Sequence, residues 1–149
     1  MPDQDFSESV IAELSYQDPD AAVDWLTRAF GFETRIIVRD ESGTLVFGEI
    51  GYSDKTVALC PESPPLRMSP KSAAGCNTQT VRFRISTDLI AHRNSAARMG
   101  ATIIQEPELY FFGDKVYVAA DPEGHLWSFA AKEPGAAGPP PQGWTVAVS

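Results

Sequence analysis

The chain has 149 residues, the size of one ordinary domain, and its 43% hydrophobic content can supply a core. A net charge of −8 argues against nucleic acid, whose phosphates need clustered Lys and Arg; it serves solubility or draws a cationic ligand. No run nears the roughly 20 apolar residues of a membrane span, and Met1-Pro2-Asp3-Gln4-Asp5 does not read as a signal peptide, so a cytoplasmic location and no membrane partner are expected.

Residues 8–17 read as a strand with Val10, Ala12, Leu14 and Tyr16 on one face. Asp18-Pro19-Asp20 then starts a helix: Asp18 caps, Pro19 suits the first position and Asp20 favours the positive end of the dipole. Ala22, Leu26, Ala29 and Phe30 form its apolar face, and Gly31 ends it. Trp25 lies off that face, suited to edge packing or an interface. Strands follow at 32–39, 44–50 and 55–60, separated by turns at 40–43 and 51–54. Residues 61–77, with Pro61, Pro64, Pro65 and Pro70, read as a linker or ordered loop.

A second unit repeats the order. A strand at 79–86 leads to Thr87 and Asp88, which start a helix running to Met99, with Gly100 at its end. A strand at 101–105 follows, then one carrying Val116, Val118 and Ala120, a tight turn at Asp121-Pro122-Glu123-Gly124, and a last strand at 125–131. The tail from Glu133 to Gly143 is Pro-, Gly- and Ala-rich and reads as extended or mobile, while Trp144–Val148 suits a short docked strand. Cys60 sits in an apolar run and reads as core, and Cys76 reads as exposed. The two make no metal or disulfide pattern.

The two units are related by an offset of 69 residues, which maps Ala12, Leu14 and Tyr16 onto Val81, Phe83 and Ile85. These apolar positions suit packing under the helices. Alternation then puts Ile11, Glu13, Ser15 and Gln17, and Thr80, Arg82, Arg84 and Ser86, on the opposite, polar face. Such a face is either solvated or lines a concave site.

Three segments resemble a known family: Asp18 to Glu33 with its AFGFE ending, Arg98-Met-Gly-Ala-Thr102, and Gly113 to Phe129 with DPEGHLW. Over about residues 8–131 the chain is similar to the glyoxalase/bleomycin resistance protein/dioxygenase (vicinal oxygen chelate) superfamily. The resemblance implies an α+β fold of two tandem βαβββ modules forming a cup-shaped mixed sheet with helices on the outer face. One domain over residues 1–149 is expected, with modules at about 8–61 and 78–131, the linker at 61–77 and a tail at 133–149.

Enzymes of this superfamily hold a divalent metal in the cup, with a His early in a module's first strand and a Glu late in its last. Here the corresponding positions are Ile11, Thr80 and Ser128, and Thr56–Cys60 offers neither carboxylate nor imidazole. No metal or other cofactor is therefore expected. Of the two histidines, His92 on the second helix reads as exposed. His125 alternates with Trp127 and Phe129, away from the cup, and reads as a hydrogen-bonded structural residue.

The candidate ligand-binding residues are Glu13, Ser15, Thr80, Arg82, Arg84, Phe112, Leu126 and Ser128. Glu13 could pair with Arg82 or Arg84 inside the cup, where arginine would recognise a carboxylate or phosphate; a structural ion pair or an exposed strand face is the alternative. Tyr110-Phe111-Phe112 suits an aromatic lid, core packing or a dimer contact. No nucleophile–base motif and no phosphate-binding loop is present. The leading expectation is a metal-independent small-molecule-binding protein, cytoplasmic and homodimeric. A metal-dependent lyase or dioxygenase with displaced ligands such as Glu62, His125 or Glu13, and a domain serving mainly for assembly, are the alternatives.

Overall fold

The computed structural model describes residues 8–148, so the Met1–Asp5 stretch lies outside the described residues. The order β-α-β-β-β occurs twice: β1 (Ala12–Tyr16), α1 (Pro19–Phe30), β2 (Glu33–Arg39), β3 (Leu45–Tyr52) and β4 (Lys55–Pro61), then β5 (Thr80–Arg84), α2 (Leu89–Arg98), β6 (Thr102–Leu109), β7 (Asp114–Ala120) and β8 (Leu126–Lys132). In each half the first strand lies parallel to the last, β1 beside β4 and β5 beside β8, and the rest pair antiparallel. The described residues thus form two open mixed sheets, ordered β1-β4-β3-β2 and β5-β8-β7-β6. No helix among them is long and apolar enough to cross a membrane.

The helix signals act as their chemistry dictates. Asp18 accepts a hydrogen bond from the Ala21 N–H at 3.1 Å, and Gly31, at φ 76°, ends α1 in the left-handed region that glycine tolerates. In α2 the cap is Asp88, accepting from Ala91 N–H at 3.0 Å, rather than Thr87. The loop into α2 is one residue longer than the loop into α1. The repeat offset is therefore 69 residues on the strands, Leu14 to Phe83 and Tyr16 to Ile85, and 70 at the caps.

One core serves both halves. Leu14, Tyr16, Leu26, Phe30, Ile50, Val57 and Leu59 from the first meet Phe83, Ile85, Leu89, Ala96, Trp127 and Phe129 from the second. The bend at Gly31 lets Phe30 and Phe32 both enter the second half. Phe30 lies 4.7 Å from the Phe129 ring centroid and 5.8 Å from Trp127, while Phe32 lies 5.0 Å from Phe83. Each buried phenyl contributes roughly 1.5–3 kcal/mol of transfer free energy, so this pair is a large part of what joins the halves. Trp25 adds to the joint: its indole N–H donates to the Met99 carbonyl at 2.7 Å, which makes it an edge-packing residue within the chain.

His92 is not exposed as its helical position suggests. It is half-buried against Phe129 and Phe30, and its Nε2–H donates to the Phe30 carbonyl at 2.9 Å, so Nδ1 accepts from the Tyr117 hydroxyl. Burial pushes the imidazole pKa below its ordinary value, although the Phe30 bond opposes the shift.

Three further segments differ from expectation. β1 begins at Ala12, where pairing with β4 begins, and Val10 is 97% exposed. β6 continues past Gln105 to Leu109 although Pro107 interrupts its donors. It is an edge strand, and its pairing skips from Gln105 to Glu108. The tail docks without forming a strand at 144–148: Glu133 N–H donates to the Gly113 carbonyl and Gly138 N–H to that of Phe111, and Trp144 meets the Phe111 ring edge-on.

Candidate functional site

Pairing defines the face turned away from the helices. In the first sheet one row runs Glu13–Ala58–Glu49 across β1, β4 and β3. In the second the equivalent row runs Arg82–Ser128–Val118 across β5, β8 and β7. The edge strands β1 and β5 flank a groove of about 280 Å³ lined by Ile11, Ala12, Val57, Val81, Arg82 and Phe83 among others, so the first strands of the two modules are neighbours, as expected.

The expected Glu13–Arg82 or Glu13–Arg84 pair does not form. Glu13 faces Arg67 of the linker at 3.5 Å. Arg82 donates from Nε to the Ser128 hydroxyl at 3.3 Å. Arg84 reaches along the sheet to Asp114, at 2.9 Å, where Lys132 also approaches at 3.5 Å. Strand alternation put these charges on one face correctly, but the gap between β1 and β5 lets each find a nearer partner. Asp114 is 2% exposed. Burial alone would raise its pKa, but the Arg84 hydrogen bond and the Arg84 and Lys132 charges outweigh burial and hold it below the usual carboxylate range.

Of the other candidates, Ser15 is buried beside Cys60, with 3.8 Å between their oxygen and sulfur. Thr80 is exposed opposite the half-buried Leu126. Phe112 is remote from them: Tyr110-Phe111-Phe112 forms the β6–β7 turn, where Phe112 stacks on Tyr110 at 5.4 Å and Phe111 carries the tail. The candidate residues therefore share a face in part but no single cavity.

The sequence reading offers the linker as an ordered loop but does not place it at the site. It is ordered and held by the β7–β8 turn: Asn77 donates to the Gly124 carbonyl at 2.7 Å, and Lys71 N–H to that of Glu123 at 3.0 Å. Gly124 is required there. Its φ is +90°, and a Cβ would come within 3.2 Å of Pro70. The turn in turn is built around Asp121. One carboxylate oxygen accepts from the N–H groups of Glu123 and His125, each at 3.0 Å, and the other from the Tyr16 hydroxyl at 2.6 Å and the Trp127 indole at 3.1 Å. His125 adds a bond from Nε2–H to the Ser15 carbonyl at 2.7 Å, the structural role expected of it. Burial and the Asp121 charge push the Tyr16 phenol well above its ordinary pKa, so it remains a donor.

Between β1 and this linker lies a cleft of about 330 Å³, the size that holds small ligands, lined by Glu13, Ser15, Arg67, Met68, Asn77 and His125 among others. It offers a carboxylate, a guanidinium, an amide and a thioether. Arg67 and Met68 could have been flagged in the sequence as the charged and polarisable residues within a Pro-rich segment.

The donor set does not fit a chelated divalent ion. Among the described residues no three His, Cys, Asp or Glu side chains converge. Glu62 accepts from Ser69 N–H at 2.8 Å, His125 is committed to Ser15, and Ser128, at a position where a ligand would be needed, is bonded to the Arg82 cation.

A family model for the Glyoxalase/Bleomycin resistance protein/Dioxygenase superfamily matches residues 10–129. The chain belongs to this superfamily. An uncharacterised protein of Mycobacterium bovis, Mb0911c, is 30% identical over 119 residues, 77% of each chain. Among solved structures, TioX from Micromonospora sp. ML1 is 30% identical with a TM-score of 0.66, covering 85% of this chain and 97% of its own. TnmS3, an antibiotic binding protein from Streptomyces sp. CB03234, has a TM-score of 0.66 at 14% identity, covering 87% and 98%. The fosfomycin resistance protein FosX from Listeria monocytogenes has a TM-score of 0.62 at 12% identity, covering 87% and 96%. The last two share the fold.

Arg84→Gln tests the Asp114 pair. The variant should lose at least about 1 kcal/mol at pH 7, because it strips a buried carboxylate of its hydrogen bond. Asp114 has a lowered folded-state pKa, so its stabilising effect is full above the unfolded value, about 3.9, and is lost as pH falls through the folded value. Urea denaturation should show a constant gap between the two proteins from pH 5 to 7 that closes below about pH 4. A gap independent of pH would contradict the assignment.

Proposed function

We propose that this protein binds a small molecule without a metal, in the manner of the glyoxalase/bleomycin resistance type, and holds its ligand in the cleft between β1 and the linker. The observation that carries the reading is the residue set of the face away from the helices. Chelation would need several carboxylates and imidazoles to converge, and no three do so among the described residues: that face carries Glu13, Glu49 and Arg82, the last bonded to Ser128, and the adjoining cleft presents Glu13, Arg67, Met68 and Asn77. These groups orient a polar ligand, and the histidine of the cleft, His125, is bonded through Nε2 to the Ser15 carbonyl. The fold shared with an antibiotic binding protein supports sequestration of a drug-like compound.

Purified protein assayed for divalent metals should contain well under one equivalent, and a compound library screened by melting temperature should yield hits that raise Tm. Arg67→Ala and Asn77→Ala should reduce those shifts. A tightly bound stoichiometric metal, or shifts unchanged in both variants, would refute the reading.

A second copy of the chain pairs with the first in this proposal, at the sheet edges remote from the cleft. Val38 on β2 and Ile104 and Leu109 on β6 leave apolar surface at the sheet edges, 43%, 56% and 49% exposed. Light scattering at micromolar concentration should give twice the chain mass. A monomer mass at all concentrations would contradict a homodimer.

A further inference from the structure

The two ends of the seam between the modules are related by the internal repeat but are filled differently. At one end the β7–β8 turn spans five residues, between paired Ala120 and Leu126, and reaches the loop that enters α1. There the Glu123 carboxylate accepts from Gln17 N–H at 2.7 Å and Asp18 N–H at 3.0 Å. These are the amides at the positive end of a helix, suited to a carboxylate. Asp18 does not prevent this, because its own carboxylate is turned to Ala21.

At the other end the matching β3–β4 turn is only two residues, Ser53 and Asp54, between paired Tyr52 and Lys55. It is too short to send a carboxylate to the loop that enters α2. The counterparts of Gln17 and Asp18 are Thr87 and Asp88, and the longer loop adds Ser86. Among the described residues no hydrogen bond reaches any of these three N–H groups. In the place of the missing carboxylate is a cavity of about 440 Å³ lined by residues of both modules, including Lys55, Arg84, Thr87 and Lys132. Asp114 lies within salt-bridge distance of both Arg84 and Lys132, and Asp54 pairs with Lys55. At the filled end, Glu123 is held with no salt bridge among the described residues. Tyr52, Ile85 and Ala131 supply an apolar wall.

We propose that this open end is a binding site for a small carboxylate with an apolar body, which takes at α2 the position Glu123 takes at α1. The carboxylate accepts from the Thr87 and Asp88 amides, Lys55 and Lys132 neutralise it, and the apolar body lies on Tyr52 and Ile85. A ligand here bridges the modules at the one end where the chain itself does not. The site is separate from the cleft beneath the linker, so either can fail without the other.

The test is a titration of the ¹⁵N-labelled full chain with benzoate, with benzamide and matched sodium chloride as controls. The amide resonances of Ser86, Thr87 and Asp88 should shift together and saturate with benzoate, with a dissociation constant on the order of 1 mM. Benzamide and chloride should leave them in place. Lys55→Gln and Lys132→Gln should each weaken binding about two- to fivefold. Both residues are more than half exposed, and well-dispersed spectra will show that the variants remain folded. Unmoved amides, an equal response to benzamide, or an affinity unchanged in both variants would overturn the proposal.

Discussion

The Asp121 carboxylate is the constraint from which the rest of the arrangement follows. It is 5% exposed and accepts four hydrogen bonds, two from its own turn and two from aromatic side chains. Burying such a charge costs several kcal/mol unless it is fully bonded, so its donors cannot be moved independently. Tyr16 comes from β1 and Trp127 from β8, so satisfying one carboxylate fixes the two modules against each other. The turn it shapes then places Glu123 at the start of α1, His125 against Ser15 and Gly124 beneath the linker. The cleft between β1 and the linker exists because this turn holds the linker in place.

The tie also breaks the symmetry of the repeat. Both modules bring an aromatic-lined sheet and a capped helix to the common core, but only the second has the longer turn that reaches across. One end of the seam is closed by residues of the chain itself and the other is left as a cation-lined cavity. A duplicated fold thereby acquires two unlike environments from a difference of three turn residues. The charged groups of the strands are divided in the same way: Glu13 belongs to the linker side and Arg84 to the open end.

Local chemistry was legible in the sequence and distant partnership was not. The α1 cap, Gly31 and the strand alternation each follow from a few adjacent residues and appear where the residues imply, and the α2 cap lies one residue on, at Asp88 instead of Thr87. His92 was misread because its burial depends on Phe30 and Tyr117, which come from other elements. The strand through Pro107 escaped notice because a proline is tolerated only when the strand lies at an edge, which is a property of the whole sheet. The Glu13–arginine pairing failed for a related reason. Alternation fixes which face a charge lies on, whereas its partner depends on the path of a Pro-rich linker that carries no periodicity. Within the linker Arg67 stands out by its charge in a Pro-rich segment, whereas Asn77 is the part of the candidate site that no local pattern marks.

The contrast between the two ends of the seam is most directly tested by residue-resolved native-state hydrogen exchange. The account predicts that the amides of Gln17 and Asp18, bonded across the closed end, exchange only on opening of the module interface, at least about tenfold more slowly than those of Ser86 and Thr87 at the open end. Equal protection at the two ends would contradict it.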